Sequence, residues 1–248
     1  MSGHCQELVA KADKDRYLSC LFAPQDARPH LYALYAFNVE IARIRATVSE
    51  PQIGLVRQQW WLDTIEGIYA SRTPDHPVAL ALADAIAKGD LPILALRNLV
   101  IAHEFDLYDD PMPSLGDLEG YLGETSSSLI QMAGLILGRG AAEAAGFAGV
   151  AFGLAGVLRL HQSRYLPRNM VQSFGEKDTI KQLCAHARKR LTEARALQGS
   201  VPASVMSAFL PVSLTNLYLS RIERGGTLDV SQFRRQVVLW WAARNNRF

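Results

Sequence analysis

Residues 27–48 read ARPHLYALYAFNVEIARIRATV, and apolar side chains recur in them every three or four positions. This is the spacing of one continuous α-helical face, because about 3.6 residues complete a helical turn. The face consists of Leu31, Leu34, Tyr35, Asn38, Ile41, Ala42 and Arg45. Ser49 can cap the next helix, and Pro51 suits its first turn. The stretch therefore predicts a long buried helix, a break and a second helix.

The same periodicity continues through most of the chain, whereas the alternation typical of strands is rare. It predicts further helices over 51–69, 77–88, 92–107, 114–137, 142–163, 176–198, 203–222 and 230–245. Ser114, with Asp117 three residues later, has the spacing of a capping box, and Gly138 suits a helix end. Without internal repeats or low-complexity linkers, residues 1–248 are expected to form one all-α domain of about ten helices.

Composition is that of a globular protein, because 248 residues with 49% hydrophobic and 20% charged side chains can bury a substantial core. No uninterrupted apolar run approaches the length of a membrane span, and the N-terminal residues lack the pattern of a signal or transit peptide. The three cysteines form no CxxC pair, which argues against a disulfide framework or a thiolate metal site. We therefore expect a cytoplasmic, reducing location.

Charge is distributed unevenly along the chain. Residues 1–158 carry 11 Lys and Arg against 19 Asp and Glu, net −8, and residues 159–248 carry 15 against 5, net +10. A basic half of this kind suits phosphates, anionic lipid or an acidic partner, although the two halves could also face and neutralise each other. No nucleic-acid-binding motif accompanies the basic half, so nucleic acid is not an expected partner.

Several segments resemble the squalene and phytoene synthases. They are residues 16–18, 31–37, 76–79, 121–128, 165–167 and 202–224. Because these segments span nearly the whole chain, the sequence is identified as a member of that family, which implies an isoprenoid-synthase-type helical bundle around a central cavity. In the family, two acidic clusters on facing helices bind Mg²⁺ ions that bridge to a substrate diphosphate.

Both acidic clusters are missing from this sequence. The positions that the family makes acidic after residues 35–37 are Ala42, Arg43 and Ala46, and residues 144–175 contain no Asp or Glu. Alanine and arginine cannot bind Mg²⁺, so we expect neither catalytic residues nor a metal or other cofactor. An active prenyl transferase that needs Mg²⁺ remains the alternative, with relocated ligands. The candidates for such ligands are Asp63 with Glu66, or Glu104, Asp106, Asp109 and Asp110; surface ion pairs or a solvated loop explain them as well.

One branch of the family matches more closely than the synthases do. Residues 36–40, 48–50, 53–55, 61, 64, 68–69, 125 and 127–129 resemble the mitochondrial complex I assembly factor of squalene/phytoene synthase type. The resemblance implies a catalytically degenerate protein that helps to build NADH:ubiquinone oxidoreductase, with a complex I subunit or assembly intermediate as partner. A carrier of isoprenoid or other lipid is a further alternative.

Arginines occupy or surround the positions where carboxylates would stand. They suggest that a vestigial cavity holds an anionic lipid or isoprenoid directly, without a metal. The candidate residues are Asn38, Ala42, Arg43, Arg45, Tyr121, Arg159, His161 and Arg164. The alternative is that Arg43 and Arg45 pair with Glu40 or Glu50, while the histidine and tyrosine are structural.

The last predicted helix has Phe233, Val237, Trp240 and Trp241 on one side, with arginines around it. Such a helix can lie at a membrane interface, which would make the protein peripheral at an inner membrane. The competing interpretation, which the sequence favours for a terminal helix, is that the same apolar side packs on the domain core.

Overall fold

The computed structural model describes residues 2–138, 140–160, 162–225 and 230–248, and these contain helices and loops but no strand. The α-helices are α1 Ser2–Ala12, α2 Lys14–Cys20, α3 Arg28–Ala42, α4 Pro51–Tyr69, α5 Pro77–Gly89, α6 Ile93–Ala102, α7 Leu115–Leu122, α8 Ser128–Ile136, α9 Ala142–Arg159, α10 Arg168–Phe174, α11 Glu176–Ala196, α12 Met206–Phe209, α13 Thr215–Glu223 and α14 Gln232–Arg244. A π-helical turn, Gly123–Ser127, joins α7 to α8, and short 3₁₀ turns connect several other helices. The predicted all-α class is confirmed.

The chain forms two compact units. The first comprises Met1–Asp109 and Met132–Gly140. Its central element is α3, which packs against α1, α2 and α5 and buries Leu34, Tyr35 and Phe37 almost completely. The edge of Trp61 on α4 meets the Phe37 ring at a centroid distance of 5.3 Å. The 27–48 stretch thus builds the core of this unit.

The second unit comprises Asp110–Gln131 and Ala141–Phe248, and α9 is its central helix. Helix α9 packs against α11, α13, α7 and the π-helical turn. Small residues on α9 permit the closest of these approaches. A Cβ atom on Gly149 would lie 2.3 Å from Cα of Ser127, and Ser127 Oγ donates a hydrogen bond to the carbonyl oxygen of Gly146. The expectation of one domain around a central cavity stays a prediction.

Helix starts agree with the sequence at Pro51 and Ser114, but the expectation that Ser49 caps α4 is wrong, because the N-cap residue is Glu50 and it makes no side-chain capping hydrogen bond. Helix α4 begins at Pro51, and Ser114 caps α7 by accepting a hydrogen bond from the backbone N–H of Asp117. The helix predicted over 114–137 is interrupted by the π-helical turn, where Thr125 Oγ1 donates to the carbonyl oxygen of Tyr121. Hydroxyl groups that bind the preceding turn compete with the regular helical hydrogen bonds and favour such local bulges.

The predicted packing of the last helix is wrong. Phe233 is 74% exposed and Trp240 56% exposed, and Val237 and Trp241 are exposed as well. Helix α14 instead packs through Leu239 and Ala242, against the 3₁₀ turn Leu210–Leu214. The apolar stripe therefore faces outward.

Two helical stretches have the length and hydropathy of a membrane span, namely Ala142–Arg159 and Ala203–Glu223. In an 18-residue window of each stretch, 56% and 67% of the residues respectively are buried within the protein. Buried core helices of globular proteins have the same properties, and α9 is such a helix here.

Candidate functional site

The first group of candidate residues lies at the C-terminal end of α3. Asn38 is half-buried, whereas Ala42, the last residue of the helix, and Arg43, which caps it, are exposed. The Arg43 guanidinium lies 3.9 Å from Glu40 Oε1, and its side chain is 53% exposed. The predicted pairing of Arg43 with Glu40 is confirmed as a long, solvated contact. A pair of this kind contributes little to stability.

Arg45 has a different environment from Arg43. Its side chain is half-buried, and Nη2 lies 3.6 Å from Oδ2 of the exposed Asp109. The expectation that Arg45 pairs with Glu40 or Glu50 is therefore wrong, because the carboxylate beside it comes from a turn more than sixty residues away in sequence. Its Nε atom is buried without a hydrogen-bond partner among the described residues. Arg45 is thus a cation with unused hydrogen-bonding capacity.

A small cavity of about 250 Å³ lies between the end of α3 and the start of α4. Glu40, Arg43, Thr47, Arg57 and Trp60 are among the residues that line it. Arg57 Nη1 donates a hydrogen bond of 2.7 Å to Thr47 Oγ1, which holds the guanidinium at the cavity wall. The cavity therefore presents guanidinium groups and an indole, which suit an anionic or planar ligand better than a cation.

The Mg²⁺ ions of the synthases do not fit the residues found here. Ala42, Arg43 and Ala46 offer no oxygen ligand, and Glu40 already faces a guanidinium. The relocated ligands that an active enzyme would need are also engaged elsewhere: Glu66 pairs with Arg97, and Asp63 accepts a hydrogen bond from Gln59. Among the described residues, no three His, Cys, Asp or Glu side chains come together as a metal site would require.

A second pair of relocated carboxylates has a structural role. Asp106 is buried, and its Oδ2 lies 2.6 Å from Nδ1 of the buried His103 in the 3₁₀ turn His103–Leu107. Asp109 lies two residues after that turn and its side chain is exposed, as expected for a solvated loop. Asp106 therefore stabilises its own turn, whereas Asp109 is an exposed carboxylate beside Arg45.

The second group of candidate residues lies in the second unit and combines arginine with tyrosine. The Arg159 guanidinium stands 3.8 Å from the centroid of the buried Tyr218 ring, which is the geometry of a cation–π contact. The rings of Tyr121 and Tyr165 lie 5.9 Å apart, and Arg164 approaches the Tyr165 ring at 5.8 Å. Arg159 and Arg164 are both half-buried, and His161 lies outside the described residues.

Main-chain hydrogen bonds fix the segment that carries Arg164. The N–H of Met112 donates to the carbonyl oxygen of Arg164 at 2.7 Å, and the N–H of Arg168 donates to that of Met112 at 2.8 Å. The loop before α7 and the turn after α9 are therefore held side by side. No sequence signal predicts this pairing, because neither segment has the alternation of a strand.

A further network joins α7 to α11 and was not predicted. Glu119 accepts two hydrogen bonds from Arg190, at 2.6 and 2.9 Å, and lies 2.7 Å from His186 Nε2. Burial raises the pKa of Glu119, but the hydrogen bonds from Arg190 and His186 outweigh burial, so the net pKa is lowered. The sequence does place His186 and Arg190 four residues apart on one helix face, which indicates a site for a carboxylate. It does not indicate which carboxylate occupies that site.

Comparison with known proteins assigns the fold and the family. The family model described as squalene/phytoene synthase matches residues 9–241. The chain belongs to the squalene/phytoene synthase family. This family member is similar to the human protein named NADH dehydrogenase (ubiquinone) complex I, assembly factor 6, at 33% identity over 89% of this chain and 73% of the human protein. A Drosophila melanogaster homolog of the same name is 31% identical over 99% of this chain and 84% of its own length.

A solved structure supports the fold of this family member independently. The crystal structure of squalene synthase HpnC from Alicyclobacillus acidocaldarius superposes with a TM-score of 0.79, covering 91% of this chain and 94% of that one, at 20% identity. At that level of identity the likeness concerns the fold alone. The expected isoprenoid-synthase-type architecture and the family resemblance are confirmed.

Proposed function

We propose that this protein acts in the assembly of respiratory complex I, NADH:ubiquinone oxidoreductase, and does not condense prenyl diphosphates. The observation that carries the proposal is the similarity to complex I assembly factor 6 over most of both chains. The proposed partner is a complex I subunit or an assembly intermediate.

The chemistry at the end of α3 supports the same choice. Head-to-head condensation begins with ionisation of an allylic diphosphate, and the synthases stabilise the leaving group with Mg²⁺ held by carboxylates. The first cluster is replaced here by Ala42, Arg43 and Ala46, and the segment that would carry the second contains Arg159 and Arg164 but no acid. Each lost element of charge stabilisation typically costs about 10²–10³-fold in rate, and here two whole clusters are lost.

Deletion of the gene in the organism that encodes this chain tests the proposal. We expect the amount of assembled complex I on native gels and the NADH:ubiquinone oxidoreductase activity to fall, while the other respiratory complexes are unchanged. Re-expression of the chain should restore both. A deletion strain that keeps complex I but loses its C30 or C40 isoprenoids would show that the protein is a synthase.

Purified protein provides the matching biochemical test. Incubated with farnesyl or geranylgeranyl diphosphate and Mg²⁺, it should release no pyrophosphate above the uncatalysed rate. The Alicyclobacillus squalene synthase, assayed beside it, serves as the positive control. Steady Mg²⁺-dependent pyrophosphate release with a prenyl product would contradict the proposal, whatever the deletion strain shows.

A further inference from the structure

Helix α14 has two well-separated faces. The inner face contains Leu239 and Ala242, which are buried. The outer face carries the exposed side chains of Phe233, Val237, Trp240 and Trp241, which we call the aromatic stripe. At 100° per residue, Phe233, Val237 and Trp240 lie within about 60° of one another, so they form one continuous surface along about two helical turns.

The aromatic stripe is held outward by a fixed framework. Ser231 caps the helix by accepting a hydrogen bond from the N–H of Arg234. At the other end, Gln198 Nε2 donates to the carbonyl oxygen of Asn246, and the ring of Phe248 lies 5.0 Å from that of Phe209. Helix α14 is therefore capped at its N-terminal end and held against other segments of the second unit at its C-terminal end.

Positive charge surrounds the aromatic stripe. Arg234, Arg244 and Arg247 are exposed. Residues 230–248 contain no Asp or Glu. Arg244 lies on the same side of the helix as Phe233 and Trp240, whereas Arg234 borders that side. Tryptophan and phenylalanine with flanking arginines are the composition of helices that lie in the plane of a membrane interface, with the rings among the headgroups.

We propose that α14 docks this protein on a bilayer surface that contains anionic lipid, with the aromatic stripe inserted at headgroup level and Arg234, Arg244 and Arg247 against the phosphates. A second copy of the chain fits this face less well, because a two-fold contact would place the same arginines opposite each other. An apolar protein partner would satisfy the rings but leave the arginines without a matching charge.

Vesicle flotation with the full chain tests the proposal, whether or not the protein acts on complex I. The probes are vesicles of phosphatidylcholine alone and of phosphatidylcholine with roughly one third phosphatidylglycerol. Wild-type protein should float with the anionic vesicles, with a blue shift of tryptophan emission, and more weakly with the neutral ones. Added salt should reduce the anionic binding, because it screens the arginines.

Two variants separate the rings from the charges. The Phe233→Ser and Trp240→Ser double variant should weaken binding to anionic vesicles by at least about tenfold, because both rings leave the interface. The Arg234→Gln and Arg244→Gln double variant should lose about fivefold per arginine on anionic vesicles and nothing on neutral ones. Phe174→Ser, at an aromatic residue that is 53% exposed on α10, is the matched control and should bind like the wild type.

Three results would overturn the proposal. In the first, the wild-type protein does not float with anionic vesicles at low salt. In the second, the Phe233→Ser and Trp240→Ser variant floats as well as the wild type. In the third, light scattering finds a dimer that this variant dissociates, which would assign the aromatic stripe to a second copy. All the substituted positions are exposed, so circular dichroism of the variants should match that of the wild type.

Discussion

Gly149 is the residue at which the fold of the second unit can be tested most sharply. A Cβ atom at this position would lie 2.3 Å from Cα and 2.5 Å from N of Ser127 in the π-helical turn. Non-bonded carbon atoms normally stay about 3.5–4.0 Å apart, so Gly149→Ala requires α9 and the turn to separate by about an ångström. Shortening the Ser127 side chain cannot relieve the contact, because two of the three nearest atoms belong to the main chain.

The expected cost follows from two opposing effects. Overpacking of a tight interface costs up to about 3 kcal/mol, and replacing glycine by alanine within a helix returns about 1 kcal/mol. Gly149→Ala should therefore lower the free energy of unfolding by about 2 kcal/mol. In a protein of this size that corresponds to a fall in Tm of roughly 4–8 °C.

Gly156→Ala is the matched control, because Gly156 lies on the same helix and a Cβ atom added to it would meet no heavy atom of the described residues within 4 Å. It should raise Tm by about 2–4 °C through helix propensity alone. Thermal and urea unfolding followed by circular dichroism at the helical band measures both variants. If Gly149→Ala is as stable as Gly156→Ala, then α9 and the π-helical turn do not approach each other as described.

Three further predictions concern charge and thiol chemistry. Glu119→Gln should lower the free energy of unfolding at neutral pH by about 1–2 kcal/mol, because it removes the charge that Arg190 binds. The folded-state pKa of Glu119 is lowered, so this stabilisation is complete above about pH 5 and is lost as the pH falls through that pKa. The free energies of unfolding of wild type and variant, measured with urea, should therefore become equal in acid. The three buried cysteines should not react with Ellman's reagent until the protein is unfolded, because burial raises the pKa of their thiols, to about 11 for Cys184. In the complementation assay, Arg45→Glu should fold but fail to restore complex I. Arg43→Glu, which changes a more exposed side chain, should restore it. If both variants restore complex I equally, these arginines have no role in assembly.

Periodicity predicted the helices well because most of them bury one face and leave the other in water. Helices α4 and α5 begin at the prolines that the sequence indicated, Pro51 and Pro77. Helix α3 ends at Ala42, before the predicted end near residue 48, because a 3₁₀ turn, Arg45–Thr47, takes over. Both conformations place apolar side chains on one side over a few residues, so spacing alone does not distinguish them.

Contacts distant in sequence account for what the pattern could not predict. Arg45 meets Asp109, and Arg159 meets Tyr218, across about sixty residues in each case. Helix α14 shows the same limit within one element. It has apolar residues on both sides, Leu239 on one and Trp240 on the other, and only the packing of its neighbours decides which side is buried.

The end of α3 explains in physical terms how the fold can persist after the ligands of the synthases are lost. Ala42, Arg43 and Ala46 are exposed at or just beyond the last helical residue, whereas the core of this unit depends on Tyr35 and Phe37. Carboxylates at a helix C-terminus repel one another and face the negative end of the helix dipole, so without metal they destabilise the helix. Alanine removes that cost, and arginine reverses its sign. Once diphosphate chemistry is no longer selected, the substitutions found here stabilise α3 at no expense to the core, which is the usual relation between catalytic residues and stability.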